Sequence, residues 1–269
     1  MEKQITVIKA SGDREPFSEE KVRTSLRRSG ASPELADDVL EVVRSELYDG
    51  ISTKEIYQRV FQHLREIGAH LASKYNLKRA IMELGPSGYP FEKFLARVFD
   101  SAGYQTAVGQ QVRGKCIWHE VDVLAEKDGV KHMIEAKFHN ENGLKTDTKV
   151  ALYVHSRFLD ISAGGGFDKG WVITNTKLTR DARTYCECVG LRYMSWNKPE
   201  GQSLREMVEK SELYPITALI SLNPQEKTLL LEEGIVVCKD LLTNLKSVSK
   251  GKRSAVEAEV RKLISDPQI

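Results

Sequence analysis

The sequence predicts an α/β (α+β) chain in three parts: a helical unit led by a β-hairpin, a mixed sheet flanked by helices, and a small helical C-terminal module. Three observations predict it. Short alternating segments at the front give way to runs with apolar residues three and four apart, the spacing of amphipathic helices. The stretch from Trp118 to Phe138 reads as two strands joined at Asp128-Gly129, with helical and strand patterns on both sides. Beyond Glu200 only helical spacing recurs. The parts are placed at residues 1–84, 89–197 and 200–269, the first two separated by the breaker-rich Gly85-Pro86-Ser87-Gly88.

A chain of 269 residues, 41% hydrophobic and 29% charged, has ordinary globular composition and room for about two domains. Net charge is only +2, so any nucleic-acid contact must come from local patches. No apolar run approaches the ~20 residues of a membrane span. The opening MEKQITVIKASGD lacks the apolar core of a secretory signal. Cys116, Cys186, Cys188 and Cys238 form no CxxC pair and no zinc spacing, so they are expected to be reduced and structural. A cytoplasmic location is expected, with no membrane contact.

From Gln4 the chain reads as a strand through Ile5, Val7 and Lys9, a turn at Ser11-Gly12-Asp13, and a return strand at Glu15 to Phe17. Ser18 caps a first helix bearing Val22 and Leu26. Ser32-Pro33 opens a second that buries Leu35, Val39, Val43 and Leu47, stopped by Gly50. Ser52-Thr53-Lys54-Glu55 is a capping box for a third helix with Ile56, Val60 and Leu64 inward, and a fourth runs from about His70 to Leu84. The segments ITVIKASGDREPFSEEKV, DGISTKEI and AHLASKYNLKRA resemble the ATP-cone, the nucleotide-sensing domain at the front of ribonucleotide reductases and of a bacterial transcriptional repressor. The resemblance implies adenine-nucleotide contacts at Val7, Lys9, Glu15, Phe17, Ser18, Lys21, Val22, Thr53, Ile56 and Tyr57. The family's Lys-Arg pair reads Lys9-Ala10 here, which removes one phosphate contact. Lys9 and Lys21 offer charge to phosphates, while Val7, Phe17 and Ile56 can wall a base. Read without the resemblance, the same residues are better taken as a plain core with a solvated lysine edge.

From Tyr89, PFEKFLARVFDSAGY gives a helix with Phe91, Leu95, Val98 and Phe99 apolar, ended by Gly103. Glu92 sits in its first turn, where the helix dipole favours a carboxylate. A strand at Gln105 to Val108 and a loop to Gly114 lead into the hairpin. A polar loop, a helix from Thr148 to Ile161, a strand at Gly170 to Thr174, a helix capped by Thr179 and a last strand from Leu191 to Trp196 follow. In the helix, Val150, Tyr153, Val154 and Phe158 form the apolar set, with Lys149 and Arg157 on other faces. The order is α-β-β-β-α-β-α-β.

With Asp128 and Gly129 as the loop, Lys127 faces Val130, Asp122 faces Glu135 and Glu120 faces Lys137, all four last-named side chains on one side of the sheet. Opposed residues have Cβ atoms roughly 5 Å apart, and like charges there repel. Two facing carboxylates suit a cation such as Mg²⁺, and a lysine one pleat away suits water activation at a phosphodiester. A surface hairpin of solvated charges is the alternative. The FE-helix ending in Gly-Tyr, the VD of the first hairpin strand, the EAK of the second and the later Thr-Asn-Thr segment resemble the PD-(D/E)xK restriction-endonuclease fold, most closely its Mrr-type branch. The resemblance implies Asp122 and Glu135 as ligands of Mg²⁺ (or Mn²⁺) with the carbonyl of Ala136, Lys137 as the residue acting on water, and Glu92 as an accessory carboxylate. His119 and Glu120 stand where relatives carry glycine-rich sequence. His132 and His139 flank the second strand as candidates of lower rank, and Trp171 is assigned to the core.

In the C-terminal part, Asn223-Pro224-Gln225-Glu226 caps a helix through Leu231, and LLLEEGIVVCKDLL weakly resembles a helix-hairpin-helix module. Lys246, Lys250, Lys252 and Arg253 precede a final helix from Ser254 to Ile264, as a DNA contact or a solvated tail. The expectation is a nucleotide-regulated, Mg²⁺-dependent nuclease acting on DNA, with ATP or dATP as effector acting through conformation or a homo-oligomeric state. No GxxxxGK[ST] loop marks the nucleotide as fuel. A nucleotide-responsive DNA-binding regulator without catalysis, and a purely scaffolding assembly protein, remain the competing classes.

Overall fold

The computed structural model describes residues 5–9, 11–141 and 143–265. Gln4, Ala10, Asn142 and the last four residues lie outside them. β1 (Thr6–Ile8) pairs antiparallel with β2 (Arg14–Pro16) and parallel with β3 (Ile51–Ser52), a strand too short for its alternation to show in sequence. Helices α1 (Glu19–Arg28), α2 (Pro33–Ser45) and α3 (Thr53–Ile67) carry the expected caps at Ser18, Ser32 and Ser52. Only half of the capping box forms. Ser52 accepts from the Glu55 N–H, but the Glu55 carboxylate turns outward to Arg59 and the Tyr48 hydroxyl. The expected fourth helix is two, α4 (Ala69–Tyr75) and α5 (Leu77–Met82), broken at Asn76. The Asn76 side chain accepts from the Tyr57 hydroxyl of α3 there.

Next come α6 (Tyr89–Ser101), β4 (Gln105–Arg113), β5 (Trp118–Lys127), β6 (Val130–Lys137), β7 (Lys145–Thr146), α7 (Thr148–Gly164), β8 (Lys169–Thr174), β9 (Lys177–Leu178), α8 (Arg180–Val189) and β10 (Arg192–Met194). Five of the strands form one mixed sheet in the order β10-β8-β6-β5-β4, and β7 and β9 form a separate two-stranded parallel patch. The α-β-β-β-α-β-α-β order holds for the helices and the five-stranded sheet, with the two-residue β7 and β9 added to it. β4 is longer than expected, running on through the segment read as loop, and α7 extends to Gly164. One sheet face packs on α6 through Val123, Ala125, Ile134, Trp171 and Ile173, and the other on α7 and α8 through Val121, Met133 and Val172.

The hairpin turns at Asp128 (φ 53°) and Gly129 (φ 74°), the left-handed pair that a two-residue turn requires. Its register runs as counted from Lys127↔Val130 to Val123↔Ile134 and stops there. Asp122 and Glu135, and Glu120 and Lys137, are therefore not ladder partners. The alternation itself inverts at this point: Val121 and Leu124 pack towards α7 and α8, whereas Val123 packs towards α6. β4 does the same between Val108 and Val112, with Gly109 (φ 63°) opposite Asp122. A left-handed residue in a strand favours glycine. The expectation of four charged side chains on one face fails for Glu120.

Helices α9 (Leu204–Ser211), α10 (Pro224–Glu232), α11 (Cys238–Leu241) and α12 (Arg253–Ser265) complete the chain. Their apolar residues share one core with α6 and the sheet. Glu259 on α12, 6% exposed, accepts from the Ser73 hydroxyl (2.9 Å) and from the N–H groups of Ile220 (2.8 Å) and Ser221 (3.0 Å). Glu259→Ala would strand these donors at ~1–3 kcal/mol each. A loss of about 3 kcal/mol in denaturant unfolding is expected; a loss below ~1 kcal/mol would show that water replaces the carboxylate freely.

Candidate active site and nucleotide cleft

Burial of carboxylates defines the sheet site. Asp122 leaves the ladder to accept the Ala136 N–H through Oδ2 at 2.7 Å. That contact uses the amide of Ala136, whose carbonyl was the expected ligand. Burial, then the neighbouring Glu120, raise the Asp122 carboxyl above its ordinary range. Burial and the charge of Asp122 push Glu135 up to about 7. Glu92 reaches in from the first turn of α6 and is pushed up to about 7 by burial and by Asp122, Glu120 and Glu135. Lys137 is exposed at the end of β6, and its charge partly offsets the upward shifts of Asp122 and Glu135.

One cation already present was not read from sequence. Arg157 on α7, assigned there to another face, donates to Glu135 Oε2 and to the Glu120 carbonyl, with only 11% of its side chain exposed. Its helical period shows that it avoids the apolar stripe but not what it meets. Among the described residues, no group of three or more His, Cys, Asp or Glu side chains is gathered as a cage for a metal ion. The hard oxygen donors of Asp122 and Glu135 still fit Mg²⁺, which binds through one or two carboxylates and retains several waters.

The histidines stand outside this chemistry. His132 is buried and accepts from Trp171 Nε1 at 2.9 Å, so Trp171 lies in the core as expected. His139 is bound to Asn175 through its backbone and to the Thr146 hydroxyl (3.1 Å) through Nε2. His119 Nε2 lies 2.8 Å from Asp160 Oδ2. All four cysteines are free. In the basic stretch, Lys252 pairs with Glu226 at 2.7 Å and Arg253 donates to the carbonyls of Val248 and Lys246, so both are engaged within the C-terminal module.

In the N-terminal unit, a cleft of about 160 Å³ is lined by Val7, Phe17, Ser18, Lys21, Val22, Thr53, Ile56 and Tyr57, eight of the ten expected nucleotide contacts, joined by Ser25 and Tyr75. Tyr75 stacks on Tyr57, ring centroids 5.0 Å apart and 18° from parallel. Burial pushes both phenols up, so they remain neutral donors. The other two expected residues stand at the rim: Glu15 bridges Lys9 (2.5 Å) and Lys21 (3.0 Å), holding both ammonium groups together. Tyr75 comes from α4, which packs along α3 and so brings it to Tyr57. No helix among the described residues is long and apolar enough to cross a membrane.

Three family models match the chain: ATP cone domain over residues 5–82, restriction endonuclease over 85–195, and AF1548-like, C-terminal over 214–264. The last covers the segment whose pattern weakly resembled a helix-hairpin-helix. An uncharacterized protein of Archaeoglobus fulgidus is 35% identical over 176 residues, which is 63% of this chain and 99% of the relative. A crystal structure of AF1548, a protein of unknown function, is similar with a TM-score of 0.58 at 34% identity, covering 66% of this chain and 99% of that one.

Proposed function

The chain belongs to the family of AF1548 and carries an ATP-cone ahead of its restriction-endonuclease-like domain, and on that footing we propose that it is a nucleotide-regulated, divalent-metal-dependent nuclease acting on DNA. The observation that carries this reading is the gathering of three partly buried carboxyls, Asp122, Glu135 and Glu92, each raised chiefly by burial, with Lys137 close enough to oppose the shifts of the first two. Asp122 and Glu135 would hold Mg²⁺ or Mn²⁺, together with the Ala136 carbonyl. When bound, the ion polarises the scissile phosphodiester and stabilises the charge that develops on it. Lys137 orients the attacking water through its ammonium N–H groups. Glu92 accepts from water on the opposite side. Arg157 holds Glu135 in place and neutralises it while no ion is bound.

Metal binding must displace protons from carboxyls that titrate around pH 7. Between pH 6 and pH 8 the calorimetric Mg²⁺ or Mn²⁺ affinity of the full chain is therefore expected to rise ~10-fold or more, flattening above pH 8. An affinity independent of pH, or equal in Asp122→Ala, would remove this assignment.

The ATP-cone would sense adenine nucleotide, ATP or dATP. The cleft can take a planar base against Phe17, Ile56 and the Tyr57–Tyr75 stack, but lies below the ~300 Å³ of typical ligand pockets. The phosphates then run outward along Lys9 and Lys21, displacing Glu15. Lys21→Ala is expected to weaken nucleotide binding about tenfold, and Glu15→Gln to strengthen it, by calorimetry. Identical affinities in all three proteins would put the phosphates elsewhere. Regulation requires different nucleotide affinities in two states of the protein, typically worth ~1–3 kcal/mol.

A second reading, a nucleotide-responsive DNA-binding regulator without catalysis, is favoured by one observation. Arg157 already occupies Glu135, as a permanent replacement for a metal would.

A further inference from the structure

The first residue of β5, just beyond the turn from β4, is a tryptophan that the core does not use. Trp118 is 62% exposed, whereas Trp171 and Trp196 are 8% and 7% exposed. The tip that presents it is tightly built. The Asp160 carboxylate on α7 accepts from the N–H groups of Cys116 (2.8 Å) and Ile117 (3.3 Å), and its carbonyl accepts from Lys115 (2.9 Å). Gly114 donates back to the Ile117 carbonyl at 2.8 Å. The packing tolerates no side chain: a Cβ on Gly114 would stand 2.1 Å from Asp160 Oδ2, and one on Gly164 would stand 2.7 Å from the Gly114 backbone. A rigid support under an exposed aromatic ring removes the ordering cost of binding before a partner arrives.

The surroundings identify the partner's chemistry. The Arg113 guanidinium lies 5.9 Å from the centre of the Trp118 ring, and Arg113 and Lys115 are both exposed. A largely exposed indole beside an arginine, with a second exposed cation on the same turn, suits a base carried on a phosphate backbone, by stacking and charge together. His119 and Val121 turn towards α7, so Trp118 and Glu120 turn towards the side from which Glu92 approaches. Four residues of strand separate Trp118 from Asp122, roughly 13 Å at the usual rise. A base within a duplex has both faces covered, so the indole can take only an unpaired or splayed one.

We infer that Trp118 is a stacking platform for an unpaired nucleobase flanking the phosphate to be cleaved, which makes the preferred substrate single-stranded or locally opened DNA. This rests on the nuclease reading above. The test uses the full chain in EDTA with dye-labelled single-stranded and duplex oligonucleotides, following dye anisotropy for binding and protein emission for stacking. Single strands are expected to quench the exposed tryptophan. Trp118→Phe should bind within a few-fold of wild type but lose the quenchable emission. Trp118→Ala should bind single strands ~5–150-fold more weakly, the range of one base–aromatic stack, with duplex binding little changed. Single-strand binding with unquenched emission and no effect of Trp118→Ala would overturn the platform and leave the nuclease reading standing. A blue shift of emission with protein concentration alone would also overturn it, since a second copy would then cover the ring. Absence of binding to either DNA would remove both.

Discussion

Lys137→Ala is expected to lower phosphodiester cleavage by about 10²–10⁴-fold, the usual loss on deleting a residue that acts on the reacting proton or water. The side chain is exposed at the end of β6, so its removal should leave the fold intact. Its charge also opposes the raised values of Asp122 and Glu135, so the variant should need a higher pH for the same metal occupancy. DNA binding measured in EDTA should change by no more than the loss of one surface charge. Cleavage assays over a metal series and anisotropy binding check the two halves. Equal loss of binding and cleavage would make Lys137 a phosphate contact instead.

Arg157→Ala should give the largest stability effect at the site, and its sign depends on pH and metal. Glu135 has a folded value of about 7, raised by burial, against about 4.5 unfolded, so the native state binds its proton more tightly. Without metal, that carboxyl reduces stability as pH rises from about 4.5 to 7, on the order of 3 kcal/mol in all. Arg157 limits this loss, since its guanidinium and hydrogen bond pull the Glu135 carboxyl down. Removing one partner of a buried pair costs ~3–5 kcal/mol; with 11% and 18% of the two side chains exposed, about 3 kcal/mol is expected at pH 8. At pH 5 the carboxyl is protonated and the loss should be small. Millimolar Mg²⁺ should restore much of the pH 8 loss by binding the native state alone. Denaturant unfolding at both pH values, with and without Mg²⁺, tests this. A loss independent of pH and metal would reduce Arg157 to a packing residue.

Much of the fold was legible because its signals are local. Asp128-Gly129 specifies a left-handed two-residue turn by itself, and the register counted from it holds for five pairs, to Val123 and Ile134. Caps at Ser18, Ser32, Ser52, Thr179 and Asn223 are likewise one-turn chemistry. The count failed at Asp122, where the inversion is shared with Gly109 on the neighbouring strand and with the Ala136 amide, both distant in sequence. Arg157 was missed because a helical period sorts faces without saying what each face meets. Tyr75 was missed because its partner ring, Tyr57, lies on another helix, distant in sequence, and a helical period does not say what each face meets. β7 and β9, at two residues each, are too short for any alternation to appear.

The nuclease reading depends on carboxylates that must hold a cation to work. Its most direct test is cleavage of supercoiled plasmid and of a single-stranded substrate with Mg²⁺ or Mn²⁺, comparing wild type with Asp122→Ala, each with and without ATP and dATP. Metal-dependent nicking by wild type, abolished in Asp122→Ala and altered by nucleotide, is the predicted result. Wild type and variant behaving alike across metals, substrates and nucleotides would contradict it and leave the non-catalytic regulator as the reading to pursue.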